Sequence, residues 1–322
     1  MHRERSKVIV IAGPTAGGKT ALAVELAQRL DAEVVNADSM QVYRGMDIGT
    51  AKPTLSERAG VPHHLLDVVD PDQPFNAALF RSLALPTVHD IVRRGKVCLV
   101  VGGTGLYIRS LLGGLMHVPP SDPAVRNALI AEWKDGGLER LYARLERLDP
   151  EAAAKIHPHD GLRITRALEI LALTRQKASA LVRAHGFGDR TLSSLKIVLD
   201  VPRSALYEKI DVRSLHMMRS GLIEETEGLL RSGFSPDLKP MQAIGYRHAV
   251  GFLQGRWSMD ETVELLQRDT RRYAKRQLTW FKADPEMHWM APEAVDRVLA
   301  VIRRHLETDD DTLIDSSGAR AG

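Results

Sequence analysis

Short apolar runs alternate with amphipathic stretches through the first hundred residues. Val8-Ile9-Val10-Ile11-Ala12 is uninterrupted apolar sequence, the pattern of a strand buried on both faces of a parallel sheet. Beyond it, Leu22, Leu26 and Leu30 recur every fourth residue with Ala23 and Ala27 alongside, as on the buried face of a helix. Glu33-Val34-Val35-Asn36-Ala37 predicts a second strand, and Val97-Cys98-Leu99-Val100-Val101 another. Between them, Phe75 to Arg94 has helical spacing, with Phe80, Leu83 and Val88 or Ile91 as candidate buried positions. Strands alternating with helices predict an α/β fold with a parallel sheet.

The pattern changes near Leu115. Pro119, Pro120 and Pro123 punctuate the chain, and from Asp122 to about Arg183 the spacing is helical and charged, without clear strands. Leu138, Leu141, Leu145 and Leu148 mark one helix. A second, after Asp160, carries Arg163, Arg166, Leu168 and Leu171. Lys196-Ile197-Val198-Leu199-Asp200-Val201 then returns to the sheet, and helices dominate from Ser204 onward. The expected organisation is a first part of the core at 1–117, a helical insertion at 118–191, a return to the core with C-terminal helices at 192–306, and an acidic, disordered tail at 307–322.

The segment joining the first strand to the first helix is Gly13-Pro14-Thr15-Ala16-Gly17-Gly18-Lys19-Thr20, which fits the phosphate-binding loop G-x-x-x-x-G-K-[ST] in the strand–turn–helix context that pattern requires. There, backbone N–H groups and a helix N-terminus converge on an anion. Lys19 adds a point charge, and the Thr20 hydroxyl suits Mg²⁺, which favours oxygen ligands and phosphate. The motif implies a polyphosphate ligand without making it a nucleotide. Asp38 follows the second strand directly, on the sheet edge where open α/β folds bind ligands; a turn aspartate remains the alternative. Where an ATPase motor has an aspartate after its next strand, this chain has Gly102-Gly103-Thr104-Gly105, which counts against such a motor. Thr104 there can offer a hydroxyl to a phosphate or serve as a simple turn residue.

Other polar residues change the picture less. His63 and His64 are adjacent, so on a strand they face opposite ways and do not share a metal. Cys98, inside an apolar run, is expected as a core thiol, and as the only cysteine it forms no internal disulfide. No zinc-ligand spacing occurs. From Arg268 to Lys282, basic residues interleave with Tyr273, Trp280 and Phe281, which suits phosphate contacts and base stacking, or an ordinary amphipathic helix with a solvated face.

The 322 residues exceed one typical domain of roughly 100–200 residues. Nothing approaches the ~20 apolar residues of a membrane span, and the five-residue apolar run before Gly13 is too short for a signal-peptide core. A cytoplasmic enzyme is expected. Net charge is +3, distributed unevenly. Residues 307–322 hold Glu307, Asp309, Asp310, Asp311 and Asp315 against Arg320, a net of −4, which leaves +7 on the body, suited to a polyanionic partner.

The phosphate loop together with Asp38-Ser39-Met40-Gln41-Val42-Tyr43, Gly45-Met46-Asp47-Ile48-Gly49-Thr50-Ala51-Lys52-Pro53, Pro62-His63-His64-Leu65-Leu66-Asp67, Val101-Gly102-Gly103-Thr104-Gly105-Leu106-Tyr107, Arg163-Ile164-Thr165-Arg166-Ala167-Leu168-Glu169, Gln242-Ala243-Ile244-Gly245-Tyr246 and Ala274-Lys275-Arg276-Gln277-Leu278-Thr279-Trp280-Phe281 resembles the tRNA dimethylallyltransferase family. These segments run in family order to about residue 282; Gly17 stands where serine is frequent. The resemblance implies a P-loop NTPase-like core, dimethylallyl diphosphate as donor, and as acceptor the exocyclic amine of the adenosine just 3′ of the anticodon of tRNA. It implies Mg²⁺ at Thr20 and a diphosphate held by Gly13, Pro14, Thr15, Ala16, Gly17, Gly18, Lys19 and Thr20. Asp38 is implied as general base, with Lys19, Thr104 and Arg126 also near the reacting groups. Contacts to the anticodon stem-loop are implied for Asp38, Ser39, Met40, Gln41, Leu162, Arg163, Ile164, Thr165, Arg166, Gln242, Gly245, Tyr246, Arg247, Lys275, Arg276, Gln277, Trp280 and Lys282. A monomer with no membrane partner is expected. The alternatives are an isopentenyltransferase acting on free adenine nucleotides, a small-molecule P-loop kinase, and a non-catalytic RNA-binding protein with a relic loop.

Overall fold

The structure is a computed structural model that describes residues 5–116, 118–186 and 188–308; the acidic tail lies, from residue 309, outside the described residues. Two compact units divide the chain. One comprises residues 1–112 and 191–322, and the other Gly113–Arg190.

The first unit is built on a six-stranded, all-parallel sheet. Its strands are β1 (Ser6–Ala12), β2 (Ala32–Asn36), β3 (His63–His64), β4 (Val97–Gly102), β5 (Leu192–Leu199) and β6 (Met287–Met290), in the order β3-β2-β4-β1-β5-β6. β1 is central, with Ile9 opposite Leu99 of β4 and Leu195 of β5. Side chains on a strand alternate between faces, and both faces here are apolar. Val8, Val10 and Ala12 join one core layer with Cys98 and Val100, while Ile9 and Ile11 join the other with Leu99 and Val101. Helix Ala77–Arg93 covers the first face through Phe80, Ala84, Val88 and Ile91, whereas Leu83 is only half-buried. Helix Lys19–Leu30 covers the second through Leu22, Ala23, Leu26 and Ala27, together with Val298, Leu299 and Ile302 of helix Val295–Glu307. The runs read as strands are strands because both faces of the sheet are buried; the polar exceptions on β2, Glu33 and Asn36, are hydrogen-bonded, Glu33 to His64 and Arg94 and Asn36 to Leu65 O. β6 departs from the helical expectation for the C-terminal part. Its Met-His-Trp-Met sequence alternates too briefly to read as a strand, and it forms only by pairing with β5. The Cys98 thiol is buried and its pKa is pushed up to about 12 by that burial.

The second unit is helical. Pro123–Leu148 is broken at Gly137 (φ 78°, ψ 162°), so one periodic stretch folds as two helices. With Gly161–Thr174 and Ala178–His185 it encloses Leu129, Leu141, Leu145, Ile164 and Leu168. Glu169 is fully buried there, accepting from Ser121 Oγ at 2.5 Å, the Asp122 N–H at 3.0 Å and Arg166 Nη1 at 2.7 Å. These charge-assisted bonds hold its pKa below the usual carboxylate range against its desolvation.

Phe80 is fully buried and stacks on Tyr107 with ring centroids 4.5 Å apart. Phe80→Ala is expected to lower the unfolding free energy by about 3–5 kcal/mol, read as a shift in the midpoint of a denaturant titration.

Candidate active site

The loops after β1, β2 and β4 meet at the carboxyl edge of the sheet. The first, Gly13–Gly18, turns into helix Lys19–Leu30 through Gly18, whose φ of 88° favours a residue without Cβ. The helix has no side-chain cap, so its first-turn N–H groups remain available to an anion. Residues Thr15, Ala16, Gly17, Gly18, Lys19 and Thr20 line a cavity of about 490 Å³. Gly13 and Pro14 stand behind them and supply carbonyls. Lys19 Nζ donates to Gly13 O at 3.1 Å and Pro14 O at 2.8 Å, which folds the side chain over its own loop.

Two recessed cations face this cavity. Burial lowers the Lys19 pKa to about 8, against the pull of Asp38 and with a smaller push from Arg213. Arg213, from helix Arg203–Arg219, donates through Nη2 to Thr15 Oγ1, and burial lowers its pKa to about 10, again opposed by Asp38. The motif did not point to Arg213. Its signal is spacing: Leu206, Ile210 and Met217 form the buried stripe of that helix, and Arg213 lies three residues beyond Ile210. A charged residue beside an apolar stripe needs a counter-charge or a ligand. Lys209 also lines the cavity and was missed for the same lack of a motif.

Asp38 lines the same cavity as the apolar Ala23, Val34, Leu66 and Val101. It is held by its neighbours. Its N–H donates to Asn36 Oδ1 at 3.1 Å, its Oδ1 accepts from the Met40 N–H at 2.8 Å, and Asn36 Nδ2 donates to Leu65 O at 3.1 Å. A carboxylate engaged by one N–H keeps acceptor capacity for a further donor. Thr104 Oγ1 accepts from the Ser39 N–H at 3.0 Å, and its own N–H donates to Ala37 O at 3.2 Å, so Thr104 fixes the segment that carries Asp38. Gln41 lines the cavity too and donates to Ala51 O at 3.1 Å and Thr50 O at 3.3 Å, tying down the Gly45–Pro53 loop. Glu225 holds the same loop from behind, accepting from the N–H groups of Asp47, Ile48 and Gly49 and from Tyr246 Oη at 2.6 Å.

The glycines after β4 are a close-contact bearing. A Cβ on Gly103 would stand 2.1 Å from Gln277 Nε2, and one on Gly105 would stand 2.0 Å from Trp280 Nε1. Helix Met259–Lys282 rests on this backbone.

Several residues expected at the tRNA surface are buried. Tyr246 is fully buried, with its hydroxyl on Glu225. Gln277, Thr165 and Ile164 are buried as well. Their side chains face protein, the first by bonding two loops and the other two inside the helical unit, so they are removed from the exposed contact surface. Gly245 is also buried and acts at a turn, with φ 98°. Ser39 and Met40 are half-buried, and Gln242 is exposed and donates to Pro236 O. Lys275, Arg276 and Lys282 are exposed, as are Arg268 and Arg272. Trp280 is half-buried with Arg109 over its ring at 4.7 Å. Arg247, Arg268 and Arg272 converge on Asp269, which also meets His248; these contacts hold the Asp269 pKa down to about 2 against desolvation. Asp269 was not singled out by the sequence, because its partners come from two helices. In the helical unit, Leu162 and Arg163 are exposed, Arg166 bonds Glu169, and Arg126 Nη1 donates to Ser121 Oγ at 3.1 Å.

His63 and His64 serve separate partners, Val61 O at 2.9 Å and Glu33 Oε2 at 2.7 Å. Among the described residues no group of three or more His, Cys, Asp or Glu side chains could hold a metal. The Thr20 hydroxyl and Asp38 carboxylate in the cavity fit an ion bound chiefly through phosphate oxygens and water, as Mg²⁺ is.

Comparison with known proteins adds to this geometry. A family model described as IPP transferase matches residues 41–284, and one described as isopentenyl transferase matches residues 6–69. The chain is 52% identical over 287 residues to the tRNA dimethylallyltransferase 2 of Geotalea uraniireducens, covering 89% of this chain and 93% of that protein. It is 49% identical over 302 residues to the tRNA dimethylallyltransferase of Geobacter metallireducens, covering 94% and 98%. Among solved structures it resembles the full-length tRNA isopentenylpyrophosphate transferase of Bacillus halodurans, with TM-score 0.71 and 39% identity over 94% of this chain and 97% of that one. It also resembles a eukaryotic dimethylallyltransferase acting on tRNA, with TM-score 0.78 and 29% identity over 94% of this chain and 79% of that one.

Because the charged form of Lys19 is the one that holds an anion, affinity for inorganic diphosphate should be full below the Lys19 pKa of about 8 and fall as pH rises through it. Calorimetric titrations across that range check this. In Lys19→Arg, whose guanidinium stays charged, the step should disappear.

Proposed function

The chain belongs to the tRNA dimethylallyltransferase family and is a transferase that prenylates tRNA; we propose that its donor is dimethylallyl diphosphate and its acceptor the exocyclic amine of the adenosine just 3′ of the anticodon. The observation that carries this reading is the pairing, in one cavity, of two half-buried cations with a backbone-oriented carboxylate. Neither a small-molecule kinase nor an enzyme for free adenine nucleotides is favoured by the relatives.

The chemistry follows from the residues. As the allylic C–O bond breaks, the diphosphate leaves with the electron pair, and negative charge grows on its oxygens. Lys19, Arg213 and the free loop N–H groups would stabilise that charge. Ala23, Val34, Leu66 and Val101 offer apolar surface to the prenyl chain. The adenine amine is a poor nucleophile, since its lone pair is delocalised into the ring. As its nitrogen bonds the allylic carbon, Asp38 takes the displaced proton as general base. The adenine reaches Asp38 only by leaving its stack. Mg²⁺, held by Thr20 and phosphate oxygens, would add positive charge at the leaving group.

On the polynucleotide side, Arg268, Arg272, Lys275, Arg276 and Lys282 give helix Met259–Lys282 an exposed basic face, and Leu162 and Arg163 are exposed on the helical unit. A monomeric enzyme is part of the same proposal. Among the described residues no helix is long and apolar enough to cross a membrane, and a cytoplasmic enzyme is part of the same reading.

Two measurements test these assignments. Asp38→Asn keeps the size and a hydrogen-bonding group but is a far weaker base, so single-turnover prenylation, scored as prenylated adenosine by nucleoside mass spectrometry, should slow by at least ~10²-fold. A near-normal rate rules out the base role. Arg276→Ala and Lys282→Ala should each weaken tRNA binding and flatten its salt dependence by a slope of ~0.7–0.9, measured by filter binding over a range of ionic strength; unchanged slopes return this helix to an ordinary solvated face.

A further inference from the structure

We propose that Glu225 is a positioning residue for the transfer step: it anchors the N–H end of a single turn whose carbonyl end holds the Gln41 amide in the cavity that Asp38 also lines. The inference rests on the donor and acceptor assigned above. Its starting point is a run of donors that share one acceptor. The N–H groups of Asp47, Ile48 and Gly49 follow one another in the Gly45–Pro53 loop. The first two donate to Glu225 Oε2 at 3.0 and 2.9 Å, and the third to Oε1 at 3.3 Å. Consecutive N–H groups aimed at one point form an anion-binding nest. Here a carboxylate from helix Leu222–Arg231 fills it.

The nest is one end of a compact turn. The Ala51 N–H donates to Ile48 O at 3.1 Å and the Lys52 N–H to Asp47 O at 3.0 Å, and Ala51 takes a left-handed φ of 49°. The carbonyls at the other end, Thr50 O and Ala51 O, both accept from Gln41 Nε2. That engages the amide's two protons and leaves Oε1 as the polar atom this side chain can offer in the cavity. Gln41, Thr50 and Ala51 line the cavity with Asp38, and Glu225 does not. Glu225 therefore acts on the reacting groups only through the turn and Gln41.

Two further contacts separate this role from simple support of the fold. Tyr246 Oη donates to Glu225 Oε1 at 2.6 Å and so orients the carboxylate; a Cβ on Gly49 would stand 2.5 Å from the Tyr246 ring. From the other side, the buried Lys52 ammonium donates to Tyr43 O at 2.8 Å and to the Asp47 and Asp67 carboxylates at 2.6 and 2.5 Å. Lys52 keeps the loop folded against the chain after β2 when Glu225 is replaced. What Glu225 fixes is the tilt of the turn, and with it the carbonyls that aim Gln41. The phosphate loop is held separately, at Thr15 by Gln277 and Arg213, so diphosphate binding is spared.

The test is the single-turnover rate of prenyl transfer from dimethylallyl diphosphate to an unmodified tRNA transcript at saturating enzyme. The rate is expressed per diphosphate site, counted by calorimetric titration with inorganic diphosphate. Glu225→Ala should keep the native diphosphate affinity and lose at least about 10-fold in rate per site, within the ~10²-fold that a misplacement of about 1 Å can cost. Glu225→Gln retains one acceptor oxygen and the side-chain shape should the alanine variant not fold; its rate should be lowered less. On a Gln41→Ala background either change should cost little more, because residues that act as one unit are not additive. A glutamate that only supports the fold would lower the melting temperature and leave the rate per site native. That result, a loss that simply adds to that of Gln41→Ala, or an equal loss of diphosphate affinity overturns the proposal. A native chain that transfers no prenyl group from this donor to the transcript overturns the donor and acceptor assignment instead.

Discussion

Two half-buried cations beside one carboxylate set the terms for the rest of the site. Lys19 and Arg213 each lose basicity to burial, and Asp38 opposes the loss at both. Such a cavity holds more positive than negative charge at neutral pH, a state that an arriving polyanion relieves. In the proposed reaction, charge that grows on the leaving group would meet these cations. The surrounding structure keeps these groups from collapsing onto one another. Lys19 is held on the carbonyls of Gly13 and Pro14, Arg213 on Thr15, and Asp38 on the Met40 N–H.

That arrangement depends on close backbone approach. The loop after β4 is glycine-rich because helix Met259–Lys282 lies against it, with Gln277 over Gly103 and Trp280 over Gly105. Thr104, between them, turns the other way and braces the Ser39 N–H. The helix thus presents a basic face to solvent while its buried side reaches both the phosphate loop and the segment bearing Asp38. Asp269 gathers Arg268 and Arg272 of its own helix together with Arg247 of helix Tyr246–Leu253. Without such an anchor, three neighbouring guanidinium groups would repel one another. Glu225 plays the matching part for the Gly45–Pro53 loop, where three N–H groups in succession need an acceptor.

The chain's local chemistry was legible wherever a short segment carried both pattern and geometry. The apolar runs of β1, β2 and β4, the Leu22–Leu26–Leu30 stripe and the glycine-rich loop each have their physical cause within about a dozen residues: strands buried on both faces are dominated by apolar side chains, and a turn with positive φ calls for glycine at Gly18. The sequence therefore determined the α/β class, the polyphosphate loop, the helical region after Leu115 and, through the ordered set of motifs, the family. It did not determine what long-range packing assigns. Arg213 and Thr15 are 198 residues apart and Gln277 and Thr15 are 262 apart, and no periodicity relates them. β6 exists only because β5 offers an edge. Tyr246, Ile164, Thr165 and Gln277 sit in segments whose neighbours face solvent, and which of them turn inward was settled by the helices packed above them. Periodicity reports which face of an element is buried, but only tertiary structure brings a distant side chain to that face and so decides whether a polar residue there meets solvent, a ligand or another loop.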